Sequence, residues 1–345
     1  MYDYIILFLS IIISSIFFNT NSYFFDQDLS LKNEEKNIVK TEKKEEVFKN
    51  INIYAWWDIM LSRSVWYYNK KDWYDRVFKN YNPIDSKSDW IAFFNLESPF
   101  AKKDRDKLER TFYFWANENA KVLLKEIIWK NKWVFSLANN HIFNSWKEWY
   151  ELTKKIILNE AFDYIWTKEY DFLATDISWK KICYEAYSYD WNDKTIKKLS
   201  LENIKNDLEK MQENNCFLKI ILPHWWAEYK FSPNTSQRKL AYDIIDSWAD
   251  IILWWHSHIP WEIETYNWKL IIYSLWNYIF DQNWWRQYCQ SWMDCIYDKN
   301  LKKKTVPTYI WTLVHIEVDK DKNIQIIDKI NHKIDDWKIS EYSLE

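Results

Sequence analysis

Phe217-Leu-Lys-Ile-Ile-Leu-Pro-His224 and Ala249-Asp-Ile-Ile-Leu-Trp-Trp-His-Ser-His258 follow one pattern, a short apolar run that ends in histidine. Between them, Ser236 to Ile245 carries apolar residues at helical spacing. Strand, helix and strand in that order predict parallel strands whose carboxyl ends meet on one side. The alternation extends outward. Strand-like runs occupy Ile51 to Ala55, Trp90 to Phe94 and Val134 to Leu137, and helices are predicted over Asn117 to Ile128 and Lys147 to Leu158. Toward the C-terminus, Ile263 to Tyr273 predicts a hairpin, and Tyr309 to Val318 with Ile324 to Ile330 an antiparallel finish. No internal repeat is evident. The expected fold class is α/β, with β-sheets flanked by helices in layers.

The 345 residues include 26 Trp and no Gly, where an ordinary chain of this length has roughly 24 glycines. Tandem pairs occur at Trp56-Trp57, Trp225-Trp226, Trp254-Trp255 and Trp284-Trp285. Asn267-Trp268 falls at the hairpin turn, where Asn-Gly supplies the positive φ that two-residue turns need. Trp248 follows the helix ending near Ile245, the place of a terminating glycine. The expectation is that UGA codons encode glycine in this gene and that most of the tryptophans stand for them.

Tyr4 to Phe18 is almost uninterruptedly apolar, the length of a signal-peptide core and short for a full span of about 20 residues. Residues 1–22 are expected to be a signal peptide or membrane anchor, 23–50 a charged linker, 51–320 the domain, and 321–345 a C-terminal strand and tail. That places the protein at the extracytoplasmic face of the membrane, anchored there or secreted. A net charge of −3 argues against a strongly basic nucleic-acid binder. The four cysteines lack Cys-x-x-Cys spacing. Cys289 and Cys295 are the expected bridge, with Cys183 and Cys216 read equally as paired or as buried free thiols. The Lys302 to Lys304 run is expected in a solvated loop.

Only six histidines occur, and four of them, His141, His224, His256 and His258, follow apolar runs. Beside them stand Asp58, Asn95, Glu97, Asn139, Asn140 and Glu228. Carboxylate, amide oxygen and imidazole together suit Zn²⁺, Mn²⁺ or Fe. His256 and His258, two apart in an extended segment, are expected to point to one side. Asn139 is expected to be structural, His315 and His332 ordinary polar residues, and Arg63 either a contact for an anionic substrate or a surface residue. Asp58 and Glu97 also read as possible caps.

With glycine restored, six segments read in order G-G-D-I-M-L-S-R, N-L-E-S-P, S-L-A-N-N-H, P-H-G-G-A-E-Y, G-G-H-S-H-I-P and S-L-G-N-Y-I-F-D. The chain from Ile51 to Asp281 resembles the CapA family of poly-γ-glutamate capsule-biosynthesis proteins, itself similar to calcineurin-like metallophosphoesterases. The resemblance implies a layered metallophosphoesterase-type sandwich and one or two divalent ions. It implies Asp58, bridging Glu97, Asn140, His224, His256 and His258 as ligands, and His141 as general acid. Asn95, Glu228, Asn277 and Asp281 would support the ligands or meet substrate. Met60 departs from the pattern, standing where the first-motif histidine belongs, and a thioether is a poor ligand for such ions. An anionic polymer or other envelope substrate, the membrane, and further capsule-synthesis membrane proteins are the implied partners. A hydrolase or transferase is one implied activity, and a non-catalytic polymer-binding scaffold the other.

Overall fold

The computed structural model describes residues 48–56, 58–63, 65, 89–103, 114–127, 132–144, 147–165, 170–189, 195–225, 227–259, 261–275, 277, 280, 296–298, 303–305, 310–335 and 338–341. The apolar N-terminal run, nearly all of the charged linker, Asp281, Cys289 and Cys295 lie outside them.

The strands are β1 Ile51–Ala55, β2 Trp90–Asn95, β3 Phe100–Ala101, β4 Ala116–Asn117, β5 Lys132–Ser136, β6 Asp163–Ile165, β7 Leu173–Ile177, β8 Lys180–Ser188 and β9 Leu218–His224. They continue with β10 Ile251–Leu253, β11 Ile263–Tyr266, β12 Lys269–Ile272, β13 Ile296–Asp298, β14 Lys303–Thr305, β15 Ile310–Val318, β16 Ile324–Asp335 and β17 Lys338–Glu341. One sheet has the order β17-β16-β15-β1-β2-β5-β6, and a second β11-β12-β10-β9-β8-β7. The fold is mixed α/β: β1, β2, β5 and β6 run parallel, as do β8, β9, β10 and β12, while β15, β16 and β17 form an antiparallel flank. Phe93 of β2 meets Tyr184 of β8 edge-on at 5.2 Å, so the sheets share one core.

β1, β2, β9 and β10 are buried on both faces, and their apolar runs lack polar alternation for that reason. Helices Lys121–Ile127, Lys147–Asn159, Leu201–Glu213 and Thr235–Asp246 supply connections between strands. The last opens with a capping box: Asn234 accepts from the Gln237 N–H, and the Gln237 side chain accepts from the Asn234 N–H. It stops at Trp248, whose φ of 77° lies in the left-handed region.

Asn267 and Trp268 have φ of 48° and 63°, joining Tyr266 to Lys269 as the hairpin reading requires. Ser178 and Trp179, at 47° and 66°, make an equivalent turn between β7 and β8 that the sequence reading overlooked, along with those strands and helix Leu201–Glu213. Trp268 is 91% exposed and Trp179 83% exposed. Neither indole is placed there by burial. Elsewhere, the buried indole N–H groups of Trp90, Trp225 and Trp254 have no hydrogen-bond acceptor among the described residues, whereas a core tryptophan ordinarily has one.

Cys183 and Cys216, read equally as paired or as free thiols, form a disulfide with a Cα–Cα distance of 5.8 Å. Parallel pairing sets Ile182 against Leu218, bringing Cys183 beside the entry to β9 across 33 residues of sequence. Lys303 and Lys304 lie not in a loop but in β14, paired antiparallel with β13.

Candidate metal centre

The predicted site residues gather at the carboxyl ends of strands from both sheets. Asp58 follows β1, Asn95 ends β2 with Glu97 just beyond, and Asn139 to His141 follow β5. His224 ends β9, while His256 and His258 follow β10 and Asn277 follows β12. Side chains join across the two sheets, with His224 Nε2 3.3 Å from Glu97 Oε1 and His258 Nδ1 3.2 Å from Asp58 Oδ2. The crevice thus lies between two sheets.

An amide scaffold fixes the carboxylates. Asn95 Nδ2 donates to Asp58 Oδ1 at 2.7 Å and to Glu97 Oε1 at 3.0 Å. Asn139 Nδ2 donates to Asn95 Oδ1 at 3.0 Å and to the Leu96 carbonyl at 2.8 Å. Its Oδ1 accepts the backbone N–H groups of His141 and Ile142, each at 3.0 Å. Asn139 therefore orders the turn that carries Asn140 and His141. Second contacts likewise set the imidazoles. The His258 Nδ1–H donates to Asn277 Oδ1 at 2.7 Å, turning Nε2 toward Glu97 Oε2, 4.0 Å away. His141 Nδ1–H donates to Asn144 Oδ1 at 2.7 Å, leaving proton exchange to Nε2. Asn144 went unnoticed in the sequence, although its position three residues after His141 was a signal.

His256 and His258 reach the site by another route than alternation along an extended segment. Their φ values, 96° and 53°, are both left-handed, so the pair stands on a tight turn. Strained backbone of this kind collects at functional sites. Tyr229, at φ 54°, donates its N–H to the Ser257 carbonyl at 2.8 Å, tying the loop after β9 to this turn.

Three ligand groups emerge, each with donor atoms within 4.8 Å of one another: Glu97, His224 and His256; Asp58, Glu97 and His258; and Glu228, His256 and His258. Each pair of groups shares one residue. Buried polar atoms ordinarily find partners, yet among the described residues Asp58 Oδ2, Glu97 Oε2, Asn140 Oδ1 and His256 Nδ1 make no hydrogen bond, although Asp58 Oδ2 stands 3.2 Å from the His258 ring. Burial, then the adjacent Asp58 charge, holds the Glu97 carboxyl well above the usual carboxylate range. Burial, then neighbouring imidazoles, pushes His224 and His256 down, so both are neutral as metal ligation requires. Burial also opposes charge on His258, but Glu97, Asp58 and Glu228 outweigh it and hold the ring up to about 10. The pocket draws positive charge, and its oxygen and nitrogen donors fit a divalent ion.

Met60 is fully buried, with its sulfur accepting the Ser62 N–H at 3.1 Å. At the rim, the Arg63 guanidinium lies 4.5 Å from the Phe114 ring centre and 5.9 Å from that of Phe280. Phe114 packs on His141 at 4.0 Å and Phe280 on His258 at 5.0 Å. Arg63 is thus one ring's depth from both histidines. His315 lies elsewhere, with Nε2 2.8 Å from Asn52 Oδ1 and its ring stacked on Tyr54.

The model of the bacterial capsule synthesis protein family PGA_cap matches residues 52–282. The PGA biosynthesis protein CapA of Bacillus subtilis is 27% identical over 251 residues, 66% of this chain and 63% of that protein. The capsule biosynthesis protein CapA of Bacillus anthracis is 27% identical over 257 residues, 66% of this chain and 59% of that one. The chain therefore matches about three fifths of the length of these relatives. Among solved structures, the Haemophilus influenzae NAD nucleotidase overlaps 86% of this chain and 60% of its own, at 9% identity and a TM-score of 0.39, too loose a likeness to bear on function. With the family's model spanning the strands and turns that assemble the metal centre, the chain belongs to the bacterial capsule synthesis protein family PGA_cap.

Proposed function

We propose that this protein is an exported, membrane-tethered, metal-dependent hydrolase or transferase that acts on an anionic capsule polymer of the poly-γ-glutamate kind at the cell envelope. The observation that carries this reading is the set of linked ligand groups, whose buried Glu97 Oε2 and Asn140 Oδ1 make no hydrogen bond among the described residues. Glu97, Asn140, His224 and His256 would hold one ion, and Asp58, Glu97 and His258 would contribute to a second. Bound there, a divalent ion of Mn, Fe or Zn supplies Lewis-acid activation for attack on an amide or phosphoester. The Asn95 amide keeps Asp58 and Glu97 aimed inward. His141, its Nδ1–H committed to Asn144, delivers a proton from Nε2 to the leaving group. Arg63, between Phe114 and Phe280, meets a substrate carboxylate.

The Cys183–Cys216 bridge supports an oxidising compartment, in keeping with an export segment at residues 1–22. The left-handed, exposed Trp179, Trp248 and Trp268 support reading UGA as glycine; UGG at these positions in the gene refutes it. The activity test uses full-length protein in detergent, made with glycine wherever the codon is UGA. It should retain a divalent metal, lose metal on His256→Ala and shorten γ-glutamyl oligomers by mass spectrometry. Absence of both metal and cleavage overturns the proposal.

Met60 favours a second reading, a polymer-holding scaffold on the same fold, whose partners would be other capsule-synthesis membrane proteins. A scaffold would be indifferent to His141→Ala and to Met60→His; an enzyme would lose turnover with the first.

A further inference from the structure

The geometry points to Glu228 as a metal ligand that joins His256 and His258 on the solvent side of the centre. This rests on the metal-dependent reading above and deepens it.

Asp58, Glu97 and His258 alone supply three donors, and Met60 adds none, because its sulfur already accepts a backbone N–H. The donor atom of Glu228 groups with those of His256 and His258 within 4.8 Å, and Oε1 stands 3.4 Å from His256 Nε2. The approach is built into the backbone: Tyr229 donates its N–H to the carbonyl of Ser257, the residue between the two histidines. Tyr229 also sets its ring 5.8 Å from that of His258. Glu228 is therefore pinned beside both imidazoles. Its side chain keeps 31% exposure, so it lies on the solvent side of a centre whose other carboxylates are wholly buried.

The alternative role for Glu228 is positioning, a carboxylate that orients His256 without touching an ion. Metal counting separates the two. Full-length protein, loaded with Mn²⁺ and dialysed, is assayed by plasma mass spectrometry, with circular dichroism confirming that each variant keeps its fold. We expect two Mn²⁺ per chain in the parent and one in Glu228→Gln. Retention of two ions by Glu228→Gln overturns the inference, because glutamine keeps an acceptor for His256 while losing the carboxylate. A parent that binds a single ion overturns it too, yet leaves the metal-dependent reading standing. A parent that binds none overturns both.

Discussion

Replacing Trp268 should separate what its side chain contributes from what its backbone costs. The residue occupies the second position of a two-residue turn at φ 63° and is 91% exposed. A tryptophan buries up to roughly 250 Å² when enclosed, so about a tenth of that, ~25 Å², is covered here, worth ~0.6 kcal/mol. Against this stands the left-handed backbone, which glycine tolerates better than alanine by about 1 kcal/mol after allowing for glycine's freedom in the unfolded chain. Trp268→Ala keeps the strain and loses the contact, costing ~0.6 kcal/mol. Trp268→Gly loses the contact and relieves the strain, for a net gain of ~0.4 kcal/mol. Glycine should therefore exceed alanine by about 1 kcal/mol, the reverse of their order at an ordinary strand position. Urea unfolding followed by circular dichroism, with a common m-value, measures both differences. An alanine variant as stable as the glycine variant would refute the reasoning.

Removing the Cys183–Cys216 bridge by a double serine substitution releases a loop of 33 residues. It should cost about 3 to 4 kcal/mol, read as a lower urea midpoint. Substitution of His256 by alanine should abolish one bound ion and lower turnover by at least about 100-fold, checked by metal analysis beside product release. Arg63→Gln should raise KM for an anionic oligomer with little change in kcat and weaken the salt dependence of KM; an unaltered KM places Arg63 outside the substrate path. Burial holds the His315 ring below the ordinary 6.5. The unfolded chain then takes up a proton that the folded chain refuses, so this contribution is present above pH 6.5 and lost as pH falls below it. In urea titrations at pH 5.5 and 7.5, His315→Gln should show a smaller acid loss than the parent.

The linear sequence determined the α/β class, because apolar runs of five or six residues alternating with helical spacing leave few other arrangements. It also determined the turn at Asn267-Trp268, where local backbone chemistry is sufficient. The ligand types Asp58, Glu97, Asn140, His224, His256 and His258 were legible for a related reason: polar residues that terminate apolar runs stand out against them. Helix Leu201–Glu213 and the β7–β8 hairpin were missed because their apolar residues are interleaved with charges. Tertiary structure alone decided that two sheets rather than one form the crevice, that Cys183 meets Cys216, and that His256 and His258 sit on a left-handed turn. It also decided which polar neighbours matter. Asn144 looks like many other polar residues in the chain, and Asn139 and Glu228 read from the sequence only in general supporting roles. Hydrogen bonds and distances across tens of residues separate the amide that orders a turn from the carboxylate that approaches two imidazoles, and such distances are set by packing, which no local spacing encodes.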